Sequence, residues 1–290
     1  MLLISNPSSG SSDEAILERV AEVLGGREPV RRVEPSSVET FDAEVGDAAT
    51  GERIVVVAGG DGTLNHAINA LVDRRDDLHF GLIPMGTGND LARTLSIPAD
   101  PIDAAEVLVE ARPATIDVGI ASGAGGERYF VNACMGGFPV RVNQAIDEGE
   151  KERLGPVAFL WGGVKALSDL QRWTVVVGDA EVADCVAAGV GNGRTAGGGI
   201  EVWPDADPDD GLFDVYALPA ANALETLQLG AKVRSGRHDE MEQVTFARVA
   251  SVRIEASPEM EFNVDGELVG LRTPAAFEVF GKLWMLRPGA

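Results

Sequence analysis

Lysine is scarce in this chain of 290 residues: Lys151, Lys165, Lys232 and Lys282 are the only ones. Its 24 lysines and arginines face 46 aspartates and glutamates, for a formal charge of −22. No basic stripe is visible, so nucleic acid is excluded as a general partner. Acidic residues such as Asp42, Glu44, Asp47 and Glu52 are scattered through foldable segments and form no tail, which argues against disorder. The pattern fits a halophilic protein, because high salt screens the self-repulsion. Cysteine is nearly absent. Cys134 and Cys185 make no disulfide framework and sit at no metal-ligand spacing. Both read as small buried hydrophobes. No apolar run approaches the roughly 18 residues that cross a bilayer. Met1 to Pro7 carries no basic region and no cleavage site, and reads as a first strand. A cytoplasmic protein is expected, with a peripheral seat on a membrane left open. His66, His79 and His238 show no metal spacing. There is no Gly-x-x-x-x-Gly-Lys-Ser/Thr loop, and no Gly-x-Gly-x-x-Gly follows a strand.

What is present is enough apolar residue for a real core, 45% of the chain. The first 118 residues alternate short apolar runs with helical patterns. Leu2-Leu3-Ile4, Val30 to Val33, Ile54 to Val57 and Phe80 to Ile83 read as strands. Ile16, Leu17, Val20, Val23 and Leu24 recur at helical spacing behind Ser12-Asp13, a helix-cap signal. Leu64, Ile68 and Leu71 start another helix face, and Ala104, Val107 and Leu108 a further one. Alternation of this kind predicts a mostly parallel sheet covered by helices. From Gly119 onward the strand candidates are short and separated by turn residues: Tyr129 to Val131, Trp173 to Val177, Val186 to Val190, Phe213 to Tyr216, Val252 to Ile254 and Phe277 to Phe280. The prediction is an α/β domain over 1–118 and a β-rich sandwich over 119–290. A return of the C-terminal end to the first domain is left open. Leu154 to Leu170 reads as a helix interrupted at Gly162-Gly163.

Two glycine-rich turns stand out. Ala58-Gly59-Gly60-Asp61-Gly62-Thr63-Leu64-Asn65 follows the apolar run Ile54 to Val57. Met85-Gly86-Thr87-Gly88-Asn89-Asp90 follows Leu82-Ile83-Pro84. Glycines let backbone N–H groups approach phosphate oxygens, and a helix N-terminus adds a favourable dipole. Ligands of parallel sheets sit outside the carboxyl ends of the strands, where both turns fall. Without a P-loop lysine, a polyphosphate here must rely on amides, hydroxyls and Mg²⁺. Asp61 and Asp90, each a turn cap when taken singly, together supply the two carboxylates a magnesium ion needs.

Four motifs give the chain a family likeness: Asn6-Pro7-Ser8-Ser9-Gly10, Gly59 to Asn65, Pro84 to Arg93, and Val264-Asp265-Gly266-Glu267. The sequence resembles the diacylglycerol kinase catalytic-domain family in its compact bacterial and archaeal form, over almost its whole length. The first two glycine motifs are shared with NAD kinases, whereas Gly86-Thr87-Gly88-Asn89-Asp90 favours the lipid kinases. The resemblance implies an ATP- and Mg²⁺-dependent kinase acting on a lipid hydroxyl, met at a membrane surface. It implies that Asn6, Pro7 and Ser9 line the nucleotide cleft. Gly59, Gly60, Asp61, Gly62, Thr63, Leu64, Asn65, Gly86 and Thr87 would bind the nucleotide, with hydroxyl bonds from Thr63 and Thr87. Asp61 and Asp90 would organise Mg²⁺ through water, and Glu267 would act as general base. Pro204 to Asp214 resembles a loop that holds a structural Mg²⁺, with Asp210 and the carbonyls of Asp207 and Leu212 as ligands. A solvated acidic loop is the other reading of that segment. For Glu267 it is an exposed hairpin residue, since Asp265-Gly266 is a strong turn signal. An NAD-kinase-like enzyme with a soluble acceptor, and a nucleotide-binding regulator without turnover, are the alternatives. A homodimer is compatible with all three.

The chain departs from the family where Arg31-Arg32-Val33-Glu34-Pro35 replaces an expected threonine facing the nucleotide. Either arginine would substitute, or both are surface charge. Gly189 to Gly193 and Gly197-Gly198-Gly199 read as a flexible lid or as turns. Val157, Phe159, Leu160, Trp161, Val164 and Leu167 form an apolar stripe, read either as core or as a membrane-facing patch with Trp161 and Trp173 at the interface.

Overall fold

The computed structural model of the protein describes residues 1–5, 14–145, 170–234 and 245–289. The chain divides into two compact units, Met1–Val118 with Gly281–Ala290, and Gly119–Phe280.

The first unit alternates strands and helices. They are β1 (Leu2–Ser5), α1 (Glu14–Leu24), β2 (Arg31–Val33), α2 (Val38–Ala48), β3 (Ile54–Gly59), α3 (Asp61–Leu71), β4 (His79–Pro84), α4 (Asp90–Thr94) and α5 (Pro101–Glu110). The strand order is β2-β1-β3-β4, all parallel, and Trp284 and Met285 of the last strand add in parallel beside His79 and Phe80 of β4. β1 and β3 are buried along their whole length, which is why they read as continuous apolar runs and not as alternating ones. Fully burying each of Leu3, Ile4, Val55 and Val57 contributes about 1.5–3 kcal/mol. α1 packs on α5, and α2 on α3. α5 begins at Asp100, whose carboxylate accepts the N–H groups of Ile102 and Asp103 at 2.8 and 3.1 Å, with Pro101 in the first turn. Its far end is closed by Arg27, which donates to the carbonyls of Leu108, Val109 and Ala111 at 2.8–3.1 Å.

Two long strands take part in both units. β5 (Arg112–Ala124) leaves the first, and the C-terminal strand, 21 residues long, returns to it. In the second unit the elements are β6 (Gly126–Phe130), β7 (Ala133–Gly137), α6 (Phe138–Ala145), β8 (Trp173–Val177), β9 (Ala180–Gly191), β10 (Thr195–Ala196), β11 (Ile200–Glu201), β12 (Phe213–Pro219), α7 (Ala223–Arg234), β13 (Thr245–Val249), β14 (Ser251–Ser257), β15 (Glu261–Val264) and β16 (Glu267–Arg287). Antiparallel pairings run β9-β8-β14-β16-β15-β7 and back to β9. β9 joins β8 through its first half and β7 through its second, and β16 divides likewise between β15 and β14. Strands that change partners in this way make the corners of a sandwich. The core inside is aromatic: Phe130 lies 5.1 Å from Phe213, and Phe262 lies 5.2 Å from Phe277.

The structure decides between the two readings at two of three places. Trp173 is not an interfacial residue. It is buried beside Cys185 and Met260, and its indole N–H donates to the Glu259 carbonyl at 3.3 Å. The stripe Val157 to Leu167, with Trp161 and the Gly162-Gly163 interruption, lies outside the described residues. Gly189 and Gly191 form no lid: they are strand residues of β9, where a Cβ would overlap the Tyr216 and Trp203 rings, which stack 5.2 Å apart. Gly197 to Gly199 connect β10 to β11 with φ values of +67°, +85° and +98°, a turn that glycine allows.

Both cysteines are buried and free. Burial pushes the Cys134 thiol well above its ordinary range, and Asp265 pushes it further. Burial raises Cys185 to about 11. The thiolate is the reactive form, so neither should react with an aromatic disulfide reagent at pH 8 in the folded protein, and both should react in denaturant. Labelling of the native protein at the rate of a free thiol would place one at the surface.

Candidate active site

β3 and β4 are adjacent parallel strands, so their carboxyl ends bring the two glycine turns side by side. Met85 N–H donates to the Gly59 carbonyl at 3.0 Å and holds the turns in register. A Cβ on Gly86 would overlap the Gly60 backbone, so only glycine allows this approach. α3 starts at once after Gly60, and no side chain caps its N-terminus. Its first-turn amides and positive dipole end therefore face outward at the strand end, an arrangement suited to an anion.

Asp61 ties the two turns together. Its Oδ2 accepts the Asp90 N–H at 3.1 Å, and its Oδ1 accepts the Leu91 N–H at 3.3 Å. It thereby caps the short α4 from 29 residues away. Asn89 shapes the second turn from inside. It sits at φ +54°, accepts the Gly86 N–H at 3.0 Å and donates to the Gly86 carbonyl at 2.7 Å. Asp90 is buried, with Oδ1 3.4 Å from the Arg93 guanidinium, which also donates to the Gly88 carbonyl. Thr63 and Asn65 are buried on α3, and Thr87 is exposed on the second turn. Gly62 is half-buried at the start of α3, and Leu64 packs in the core. Asn6, Pro7 and Ser9 lie outside the described residues.

The donor set at these turns fits a hard cation. Asp61 and Asp90 are neighbouring carboxylates, and a Cβ on Gly88 would stand 2.7 Å from Asp61 Oδ2, so the glycine keeps that oxygen uncovered. Ionised carboxylates offer about four lone-pair sites, and the two amides use two of those on Asp61. Oxygen ligands of this kind suit Mg²⁺.

In the acidic loop the Asp210 carboxylate already has two partners. Asp210 Oδ1 accepts the Leu212 N–H at 2.9 Å, and its Oδ2 is held by the Arg248 guanidinium. The Asp207 carbonyl accepts the Asp210 N–H at 3.4 Å. Arg248 stands directly across from Asp214 in the β12–β13 ladder, and its Nε lies 3.4 Å from Asp214 Oδ1. Burial pushes the Asp214 carboxyl up, Arg248 pulls it down, and Asp210 and Asp205 push it up again. A guanidinium therefore already meets the charge that a divalent ion would meet. Among the described residues, at this loop and at the glycine turns alike, no group of three or more His, Cys, Asp or Glu side chains is placed to hold a metal.

In the second unit, Glu267 opens β16 and is exposed. It pairs with Val264 across a two-residue turn of Asp265 and Gly266. Asp265 is buried, and its carboxylate accepts the N–H groups of Val131, Asn132 and Ala133. Sequence reasoning took Asp265 only as a turn residue. The Asp-Gly pair was the signal, but nothing in it reveals a partner segment more than 130 residues earlier. Arg31 and Arg32 are committed elsewhere. Arg31 pairs with Glu52 at 3.2 Å, and Arg32 with Glu14 and Glu34 at 2.6–3.0 Å.

The arrangement at Arg248 predicts that, without nucleotide, the melting temperature of the protein is the same in Mg²⁺ and in EDTA. Arg248→Ala should lower it by about 2–4 °C, the effect of roughly 1 kcal/mol in a domain of this size. A melting temperature that rises with Mg²⁺ in the wild type but not in Asp210→Ala would show a metal in the loop.

Residues 1–121 match the diacylglycerol kinase catalytic domain, and residues 132–286 match the YegS C-terminal NAD kinase beta sandwich-like domain. A protein of Stenotrophomonas maltophilia named "Probable lipid kinase YegS-like" is 35% identical over 281 residues, covering 93% of this chain and 90% of that one. A diacylglycerol kinase of Staphylococcus epidermidis is 30% identical over 289 residues, covering 95% and 87%. A crystal structure of a diacylglycerol kinase from Bacillus anthracis shares the fold, with a TM-score of 0.77 at 24% identity over 99% of this chain and 96% of the other. With both halves matched in this order, the chain belongs to the diacylglycerol kinase catalytic-domain family of lipid kinases.

Proposed function

We propose that the protein transfers the γ-phosphoryl group of ATP to the hydroxyl of a lipid alcohol, with Mg²⁺ as cofactor. The observation that carries this reading is the pair of bonds that Asp61 accepts from the Asp90 and Leu91 amides, which joins the two glycine turns at one sheet edge. The first unit, 1–118 with the C-terminal segment, is assigned to the nucleotide. The β-rich unit is assigned to the acceptor, a diacylglycerol-like, dialkylglycerol or other long-chain alcohol, a reading supported by relatives named as lipid and diacylglycerol kinases.

In this reading the amides of Gly59, Gly60 and the first turn of α3 bind phosphate oxygens, with hydroxyl bonds from Thr63 and Thr87. Asn6, Pro7 and Ser9 take the rest of the nucleotide. Asp61 and Asp90 hold Mg²⁺ through water. When bound, Mg²⁺ neutralises phosphate charge and steadies the β- and γ-oxygens. Glu267 accepts the proton of the acceptor hydroxyl. The hydroxyl oxygen then bonds to the γ-phosphorus, the bond from phosphorus to the bridging oxygen breaks, and ADP leaves. Among the described residues no helix is long and apolar enough to cross a membrane. In this reading the lipid is met at the membrane surface.

The test is transfer from ATP, with Mg²⁺, to a panel of extracted lipids and NAD, with products read by mass spectrometry. A phosphorylated lipid is expected. A phosphorylated NAD would replace the lipid acceptor with a soluble one, and ATP binding without any product would favour a regulator.

Asp61→Asn should remain folded and lose transfer by about 10²-fold or more. An amide at this position can accept one of the two N–H bonds but not both, so stability should fall by about 1–3 kcal/mol. Wild-type turnover in that variant would remove Asp61 from the site. Glu267→Gln should keep its affinity for ATP and lose roughly 10²-fold in kcat, the scale of general-base help. A change confined to the KM for ATP would make Glu267 a binding residue.

A further inference from the structure

We propose that Asp265 is a positioning residue for Glu267: its buried carboxylate clamps the turn that carries Glu267 onto the backbone of residues 131–133. This rests on the general-base reading of Glu267 above.

The turn itself is tight. Val264 and Glu267 are paired, and the two residues between them have φ values of +48° and +87°, as a two-residue hairpin turn of mirror-image type requires. Asp265 is 6% exposed. Oδ1 accepts the N–H groups of Asn132 and Ala133, both at 2.9 Å, and Oδ2 accepts the Val131 N–H at 3.0 Å. The Asp265 N–H donates back to the Ala133 carbonyl at 2.8 Å. Four bonds thus join one turn residue to three consecutive residues of another segment.

That segment is itself anchored. The Asn132 side chain donates to the Thr195 carbonyl at 3.0 Å, and the Asn192 side chain donates to the Val131 carbonyl at 2.8 Å. The Asn132 carbonyl accepts from the N–H groups of Asn192 and Gly193 at 2.8 and 2.9 Å. The clamp therefore reaches the loop after β9 and the start of β10.

A hairpin turn does not need a buried charge. Asparagine-glycine makes the same turn with no carboxylate, and burying a carboxylate costs free energy that only good partners offset. The three amides supply those partners here. What the clamp adds beyond the turn is a fixed origin for the next side chain. Glu267 is exposed, so its own packing does not fix it, and its backbone position comes from the turn. An error of about 1 Å in a reacting group can cost about 10²-fold in rate.

The test is a double-mutant cycle with Asp265→Asn, Glu267→Gln and the pair, reading kcat, the KM for ATP and the melting temperature. Asparagine keeps the turn but cannot accept all three N–H groups. Asp265→Asn should lower kcat by at least about tenfold, with the KM for ATP within about twofold of wild type. In the Glu267→Gln background it should lower kcat by less than about twofold, because the positioned group is already gone. Should Asp265→Asn fail to fold, Asp265→Ser serves instead: its hydroxyl can accept at most two of the three N–H groups, and the same fall in kcat at unchanged KM for ATP is expected. Losses that multiply in both backgrounds would overturn the positioning role and leave Glu267 as base. Unchanged kcat in Asp265→Asn would also overturn it. Wild-type turnover in Glu267→Gln alone would overturn the base assignment, and the positioning role with it.

Discussion

A carboxylate bonded to backbone amides is the interaction on which the nucleotide side of this protein depends. Asp61 accepts the N–H groups of Asp90 and Leu91 and so fastens the turn after β4 to the turn after β3. Each charge-assisted bond is worth about 1.5–3 kcal/mol. Their larger effect is geometric. Without them, the five-residue α4 would have an open N-terminus, and only the β3–β4 ladder and the Met85–Gly59 bond would relate it to α3. The glycines follow from this attachment. Gly60 and Gly86 lie where a side chain would force the turns apart, and Gly88 lies where one would cover Asp61. The motif glycines therefore serve the approach of one turn to the other as much as the approach of a phosphate.

The second unit uses the same device at its own tip, with three amides on Asp265 in place of two on Asp61. In both cases an aspartate reaches a segment distant in sequence and satisfies N–H groups that no sheet ladder or helix would take. In both cases the residue assigned to chemistry is held through backbone. This is a stiff way to build a site, since a backbone amide cannot change rotamer.

The parallel sheet was legible because β1 and β3 are buried on both faces and so appear as unbroken apolar runs. The turns were legible because their glycines and aspartates are local. α2 was harder to see: its 11 residues bury only Phe41 and Val45 and otherwise carry acidic or small residues. The long strands β5 and β16 were seen only in pieces, because their burial pattern changes as they take part in two units. Trp173 could not be placed from sequence, because an indole with one polar atom suits either an interface or a core with a carbonyl in reach. Arg248 and the partners of Asp265 were invisible for a simpler reason. Each contact is fixed by strand register between segments far apart in sequence, and no local pattern encodes it.

The charge of the chain explains why backbone carries so much of this work. With 24 basic against 46 acidic residues, arginines are drawn into closing elements of the fold. Arg27 closes α5, Arg74 bonds the carbonyls of Ala49 and Glu52, Arg32 joins Glu14 to Glu34, and Arg248 answers Asp210 and Asp214. A polyphosphate brought to such a surface meets an adverse field that salt only partly screens. Amides at a helix N-terminus attract phosphate without adding a titratable cation. A divalent ion on Asp61 and Asp90 would supply positive charge only where the phosphates sit. On the proposed reading, an acidic protein thus confines its attraction for phosphate to one strand edge, and leaves the rest of its surface repellent to competing anions.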